Sequence, residues 1–415
     1  MSDRYKMPYW LAGSLPLRRY PWLAEDENCE YLVLGGGMTG SLLAYRLAQS
    51  GARTCLITEQ PVGYGGCAYG TGILEYDGNF SFVQLGKRIG RGAASRCLQN
   101  YRQALEDVEA LCAELGEETG FERCDLLSFA AGNGHEDFFH TEYLLRRHNG
   151  YSVEYLDKTS ARERYPFPVG DGVLSKGLAA VLDPYRFCQA LVKQACKQYG
   201  LRCFERTRAV DVDLSHGKAT VTTDTLHKVE ADCLVLATGM DQNEYLHRYI
   251  SKKTSFLVVT KPVKGLSGYG HATVLRGEEG SGFHIRALPD DRLLISGADS
   301  LLGGGDHRLM KLPGNDRLEE LHAAKLLKIL QNIYYGAEEL EADHCSVSVY
   351  GCTADMLPVI GRHEEYDHVF FCMESGPENP LTAQIAAQQL LSGEEEALYS
   401  PHRKHPLLRR TLFGA

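Results

Sequence analysis

The sequence predicts an α/β protein of two interleaved domains, on three observations. Residues Glu30 to Gln60, EYLVLGGGMTGSLLAYRLAQSGARTCLITEQ, read as strand, glycine turn, helix and strand in close succession. A second apolar strand, ADCLVLATGM (Ala231 to Met240), recurs far downstream after a polar alternating segment, KATVTTDTLHKVEA, that reads as a β-meander. Helical stretches flank the strand-rich blocks LLSFAAG and SFLVVTKPV, the pattern of an antiparallel sheet covered on one face by helices. At 415 residues and 44% hydrophobic content, the chain can bury more than one core.

Composition narrows the partners. The formal charge of −10 argues against nucleic acid, whose binders present a clustered basic face. The basic cluster of note, HRKHPLLRR (His402 to Arg410), reads as a solvated tail. The 13 cysteines are scattered, many inside apolar runs, with no C-x-x-C pair, which fits reduced buried thiols better than disulfides or zinc. A metal site at His344 and Cys345 is disfavoured because neighbours on a strand point to opposite faces. No apolar run has signal-peptide or membrane-spanning character, so a cytoplasmic protein without a transmembrane segment is expected.

Within the opening segment, Tyr31 to Leu34 form a buried strand, and Leu42, Leu43, Leu47 and Ala48 recur at helical spacing up to Gly51. Arg53 to Thr58 form the next strand. Gly35, Gly37 and Gly40, with Met38 and Thr39 among them, have G-x-G-x-x-G spacing. A pyrophosphate needs close backbone approach and free N–H groups at the positive end of a helix, which is what glycines there allow. Glu59, followed by Gln60, falls about 20 residues on, where a carboxylate binds ribose hydroxyls and repels a 2′-phosphate. These residues predict a dinucleotide site that disfavours NADP.

Later motifs select the dinucleotide. The strand ending in Ala-Thr-Gly, with Thr238 and Gly239, resembles the one that closes the nucleotide domain of two-domain flavoproteins. GTGILEYD (Gly70 to Asp77) resembles a run that follows the acidic ribose residue in bacterial members of the D-amino-acid oxidase and glycine oxidase superfamily of FAD-dependent oxidoreductases. The likeness continues through GLAAVLDPYRFCQALVKQACKQYG, CFERTRAVDV, FHIRALPDDRLLISGADS and VYGCTADMLPVIG, and so covers nearly the whole chain. It implies a Rossmann-type FAD-binding domain interleaved with an α+β substrate domain built on an antiparallel sheet. The FAD domain would take residues 1–95, 178–255 and 345–415, and the substrate domain residues 96–177 and 256–344. Helices are expected over Ser95 to Leu115 and Leu318 to Ile333, and a turn at Gly303 to Gly305.

The resemblance places Gly70 and Thr71 along the flavin, the backbone near Val210 at the adenine, and Gly361, Asn379, Leu381 and Thr382 in the segments that return to the cofactor. It implies non-covalent FAD, since Cys352 lacks the local motif of enzymes that attach flavin through cysteine. Tyr350 stands where the family has a carboxylate-binding arginine, and a phenol cannot replace a bidentate guanidinium, so simple α-amino acids are doubtful substrates unless another cation substitutes. Met356 stands where the family usually has glycine, and Pro377, Glu378 and Pro380 replace glycines of the final flavin loop, Glu374 to Thr382. Proline cannot donate a hydrogen bond there.

With no second G-x-G-x-x-G for NAD(P)H, electrons are expected to enter from an organic substrate, an amine or amino-acid derivative oxidised at its C–N bond, and leave to dioxygen or another acceptor. Tyr350, lining the flavin face, and Arg286, binding an anionic substrate group or forming a cross-strand ion pair, are the expected catalytic residues. A pseudo-oxidase or subunit that binds FAD with little turnover, and a tRNA-modifying oxidase, stay open. A homo-oligomer is compatible with the sequence.

Overall fold

The computed structural model describes residues 8–12, 19–116, 119–130, 135–165, 167, 169–239, 250–263, 273–277, 282–301, 316–334, 340–376 and 380–403. A short helix, α1 (Tyr9–Ala12), precedes β1 (Glu27–Leu34), α2 (Met38–Gln49) and β2 (Thr54–Ile57). There follow β3 (Ile73–Glu75), α3 (Phe82–Ile89), α4 (Arg91–Leu115), β4 (Glu122–Phe129), α5 (Glu136–His148), β5 (Val153–Leu156), α6 (Lys158–Arg164) and β6 (Gly172–Val181). The chain continues through α7 (Pro184–Gln198), β7 (Arg202–Phe204), β8 (Ala209–Asp213), β9 (Ala219–Thr223), β10 (Lys228–Leu236), β11 (Ile250–Thr260), β12 (Thr273–Gly277), β13 (Phe283–Ala287) and β14 (Leu293–Leu301). It ends in α8 (Asp316–Ile333), β15 (Ala342–Thr353), β16 (Val359–Arg362), β17 (Val369–Met373) and α9 (Pro380–Ser392).

The first sheet has the order β16-β17-β10-β1-β2-β7, with β17, β10, β1, β2 and β7 parallel and the β8–β9 meander attached to β10. Its central strands are continuous apolar runs because both faces are covered. Val33 and Leu56 pack under α2, α7 and α9, while Leu32, Leu34, Cys55 and Ile57 face the meander. The second sheet has the order β15-β11-β14-β13-β12-β4-β6-β3, with β5 on β6. It is antiparallel apart from β12 on β4, a parallel pair that the sequence did not anticipate; a long crossover from β4 to β12 permits it. Ile73–Glu75, in the first segment expected for the FAD domain, pairs with β6 of this second sheet. Gly303 to Gly305 lie outside the described residues. All 13 cysteines are free thiols. No helix of the described residues is long and apolar enough to cross a membrane.

A buried charge cluster ties β3 to its neighbours. Arg276, on β12, grips Asp77 through two 2.9 Å bonds and reaches Glu75 at 2.7 Å. Arg146, on α5, meets Asp77 at 2.7 Å and Glu142 at 2.5 Å. Glu142 in turn accepts from the backbone N–H of Phe82 at 2.7 Å and of Val83 at 3.0 Å, at the start of α3. Burial alone would raise the Asp77 carboxyl, but the guanidiniums of Arg276 and Arg146 overcome it and hold it at about 2.

Asp77→Asn keeps the shape but leaves two buried guanidiniums without their shared anion, an expected cost of about 3–5 kcal/mol by urea unfolding at neutral pH. Because the folded value lies below the unfolded value near 3.9, Asp77's contribution is complete above the unfolded value and is lost as pH falls through about 2. The wild type should therefore weaken progressively on acidification and the variant should show a flatter acid limb; equal unfolding midpoints at neutral pH would refute the role given to Asp77.

Candidate active site

At the first βα turn, two of the three motif glycines are demanded by the fold. Gly35 has φ +117°, and a Cβ there would lie 2.3 Å from the Ala237 carbonyl oxygen and 3.2 Å from Thr238 Cα. A Cβ on Gly40 would lie 1.8 Å from the Gly35 carbonyl oxygen, so strand and helix approach too closely for any side chain. Gly37 differs: its Cβ would meet Cys67 Sγ alone, at 3.7 Å. It is the N-cap of α2 and has no side chain of its own to cap that helix end. The Met38 N–H reaches Cys67 Sγ at 2.9 Å, and the Thr39 hydroxyl donates to Glu374. Glu59 and Gln60 are exposed just beyond β2. A helix end that begins at a glycine N-cap, open to one side and with a carboxylate at the neighbouring strand end, fits the pyrophosphate and ribose of a dinucleotide.

The loop that follows is clamped from behind. The Trp10 indole N–H donates to the Gly70 carbonyl at 2.9 Å. Arg286 Nη1 donates to the carbonyls of Thr71 at 3.2 Å, Gly72 at 3.1 Å and Leu182 at 3.1 Å, with its guanidinium 5.5 Å from the centre of the Trp10 ring. Gly72, at φ +64°, admits this approach, since a Cβ there would lie 2.2 Å from the Leu182 carbonyl oxygen. Arg286 thus has a backbone task beyond the two roles expected of it. It anchors backbone, and it lines a cleft of about 1030 Å³ with Trp10, Asp183 and His344 rather than the cavity that Tyr350 faces.

That cavity, about 460 Å³, lies between the Gly70–Leu74 segment and one face of the second sheet. Period-two alternation sets its lining. On β11, Ser251, Lys253, Ser255 and Leu257 face the cavity, whereas Phe256 and Val258 pack beneath α8, where the His322 ring stacks on Phe256 at 3.7 Å. Lys253 stands opposite Tyr350 in register, and Ser251 opposite Cys352. At the other end, Glu75 pairs with Arg276 and lies 3.3 Å from His284 Nε2. Burial pushes the Glu75 carboxyl up, but Arg276 and then His284 outweigh it, keeping it lowered and ionised. Met356 lines the cavity at φ +71°, a left-handed backbone natural to the glycine expected there.

The remaining expected site residues divide. Thr238 packs its backbone against Gly35, and Gly239 follows it at φ +62°. Val210 sits at a register shift of the meander with 51% of its surface exposed. Gly361 is absent from the cavity lining; its missing side chain makes room for Pro401, whose Cδ would lie 2.7 Å from a Cβ. Pro380 lines the cavity, but Leu381 and Thr382 are fully buried behind it. Asn379, with Pro377 and Glu378, lies outside the described residues. Cys345 belongs to the core under α8 while His344 meets Tyr9 edge-on, so the two diverge. Arg403, expected in a solvated tail, is buried against Asp355 at 2.7 and 2.9 Å. Sequence reasoning missed Trp10, Glu75, Arg276, Lys253 and Glu374. For Lys253 a signal existed in the alternation of SKKTSFLVV.

Residues 30–389 match the family model described as DAO, FAD dependent oxidoreductase. A putative Rieske 2Fe-2S iron-sulfur protein of Bacillus subtilis is 24% identical over 409 residues, covering 96% of this chain and 75% of that protein. A glycine oxidase of Bacillus licheniformis is 24% identical over 358 residues, covering 83% of this chain and 87% of the relative. Among solved structures, glycine oxidase from Geobacillus kaustophilus superposes with a TM-score of 0.75 at 19% identity, over 91% of this chain and 100% of that one, a likeness of fold. The family match takes in the glycine turn, the strands of both sheets and the cavity on the second sheet's face, and the chain therefore belongs to the DAO family of FAD-dependent oxidoreductases.

Proposed function

We propose that this enzyme oxidises a C–N bond of an amine or amino-acid derivative, using non-covalently held FAD and passing electrons to dioxygen or another acceptor. One observation carries the reading: a small-molecule cavity lies between a rigidly clamped backbone loop and a polar sheet face, beside a helix end shaped for pyrophosphate. The glycine oxidase among the relatives supports it. FAD supplies a two-electron acceptor for the hydride that leaves the substrate carbon.

The protein's own residues do the rest. The α2 N-terminus and Glu59 hold the nucleotide half, and Trp10 and Arg286 fix the height of the Gly70–Gly72 backbone. Tyr350 offers a hydroxyl and an aromatic face to the cavity, and Leu257, Ile73 and Leu74 keep part of it apolar. An amine must be unprotonated before its carbon can release a hydride. Lys253 in the lining disfavours an added cation nearby, which lowers the pKa of an amine bound at that end. Positioning and deprotonation together require no further acid or base.

Four measurements test this. Anaerobic addition of amines and amino acids should bleach the yellow colour of the FAD-loaded protein for at least one primary or secondary amine; no bleaching across such a panel would sink the oxidation reading. Acid precipitation should leave the colour in the supernatant, whereas a yellow pellet would contradict non-covalent binding. Gly37→Val should fold normally, having only Cys67 to displace, yet lose FAD affinity by about two orders of magnitude, about 2.7 kcal/mol. Arg286→Ala should weaken FAD retention and raise KM alike for neutral and anionic substrates; a rise confined to anionic ones would place its guanidinium at the substrate instead.

A further inference from the structure

We propose that His284, oriented by Glu75, takes the proton from the substrate's ammonium group and so delivers the free amine that hydride loss requires. The inference deepens the C–N oxidation reading and rests on it for the step that follows.

The first support is a charge count. The cluster around Asp77 sets the carboxylates of Glu75, Asp77 and Glu142 against the guanidiniums of Arg276 and Arg146 alone. None of these side chains is more than 4% exposed, so water screens the surplus negative charge poorly. Glu75 shows where a positive charge is wanted. Its Oε2 is bonded to Arg276, but its buried Oε1 has no aligned hydrogen bond, and the group that approaches that oxygen is His284 Nε2 at 3.3 Å. A proton on the imidazole would bring the cluster to balance.

The second support is placement. On β13, His284 stands directly opposite Arg276 of β12 and Ser296 of β14, and all three line the cavity. The His284 side chain is 17% exposed and that of Glu75 only 4%, so the imidazole meets the cavity and the carboxylate stands behind it. A ring nitrogen held against a carboxylate carries its hydrogen there, which leaves the other nitrogen with a lone pair for a second partner. Among the described residues no other side chain engages the ring. This is how a carboxylate orients a histidine that handles protons.

The third support is the want of rivals. The other titratable side chains in the described lining, apart from Glu75 and Arg276, are Tyr69, Arg88, Tyr101, Lys253, Tyr350 and Cys352. The cations have no lone pair to offer, and the phenols and thiol are weak bases near neutral pH. Glu75 is itself committed: burial pushes its carboxyl up, but Arg276 and then His284 outweigh this and keep it ionised. Arg276, the one guanidinium directly opposite His284, would repel an imidazolium were it not matched by Asp77 and Glu75. At the other end of the cavity Lys253 repels an ammonium, which steers a cationic nitrogen toward His284.

In the step itself an N–H bond of the ammonium breaks, its electron pair stays on nitrogen, and the proton bonds to the free ring nitrogen of His284. Charge moves from ligand to imidazole without changing in total. The cluster's surplus then stabilises the imidazolium, and the released lone pair lets the adjacent carbon give up its hydride.

Cumylamine tests the proton transfer without turnover, because the carbon bearing its nitrogen has no hydrogen to lose. The FAD-loaded protein is prepared with isotopically labelled histidine ring nitrogens, and the NMR signal missing from His284→Gln identifies His284. Near neutral pH that signal should move to the imidazolium position on saturation with cumylamine and stay neutral with cumyl alcohol, the isostere that has no proton to give. Glu75→Gln should abolish the move; should that variant fail to melt cooperatively, the wild-type comparison of amine with alcohol still decides. A His284 that stays neutral with cumylamine bound, one already charged before any ligand, or no cumylamine binding at millimolar concentration would overturn the proposal. With an oxidisable amine, His284→Gln should bleach the flavin about 100-fold more slowly near neutral pH and recover as rising pH makes free amine abundant. Unchanged bleaching, or a loss that persists at high pH as a structural defect would, also overturns it. If His284 takes the proton while no amine bleaches the flavin, the proton acceptor stands and the oxidation reading falls.

Discussion

Arg276 holds Asp77 with both ends of its guanidinium, and the cavity depends on that grip. Asp77 ends the Gly70–Asp77 segment, which leaves the first sheet after β2 and lends Ile73–Glu75 to the second. Without a fixed point at its far end the segment would lie over the sheet at no defined height. The pair is bidentate and dry, and Arg146 and Glu142 complete it, so each charge has a partner and each carboxylate is held ionised or bonded. Removing one member leaves the others uncompensated in a low-dielectric interior. A network of this kind favours one geometry over near alternatives.

The two ends of the proposed cofactor site are held by different physics. At the nucleotide end the constraint is steric: Gly35 and Gly40 let β1, β10 and α2 approach to distances no side chain tolerates, and Gly37 leaves the helix end open. At the other end the constraint is polar. Trp10 and Arg286 bond the Gly70 and Thr71 carbonyls of a loop without regular secondary structure, and Arg286 adds a second donor to the Gly72 carbonyl, which also accepts from the Leu182 N–H. The sheet face above that loop carries hydroxyls, one phenol and one ammonium, whereas the opposite face of the same strands is apolar beneath α8. A single alternation thus builds a core on one side and a chemical surface on the other.

Local pattern made much of this legible. The strand, glycine turn, helix and strand of Glu30–Gln60 are contiguous, and their order alone predicted the βαβ unit now seen as β1, α2 and β2. What escaped depends on distant pairing. Arg276 and Asp77 are 199 residues apart, and no spacing rule connects them. Arg286 was placed on a strand of the substrate sheet, but two residues along one face shift a side chain about 6.6 Å, enough to put it behind the loop instead of above the cavity. The packing of Pro401 against Gly361 is likewise invisible in the local sequence. Lys253 lay one strand from Tyr350, and only the β11–β15 register joins them. Charge in the tail read as solvated because Asp355, the partner of Arg403, is distant in sequence.

In the proposed reading, FAD spans from the α2 N-terminus to the space between the Gly70–Gly72 loop and the face carrying Lys253 and Tyr350. A crystal structure of the FAD-loaded chain tests it most directly. Pyrophosphate density is expected against Gly37 and an isoalloxazine ring along Gly70–Gly72, with Tyr350 across the remaining cavity. A ring lodged instead in the cleft behind Trp10 and Arg286, or a pyrophosphate away from the helix end, would contradict it.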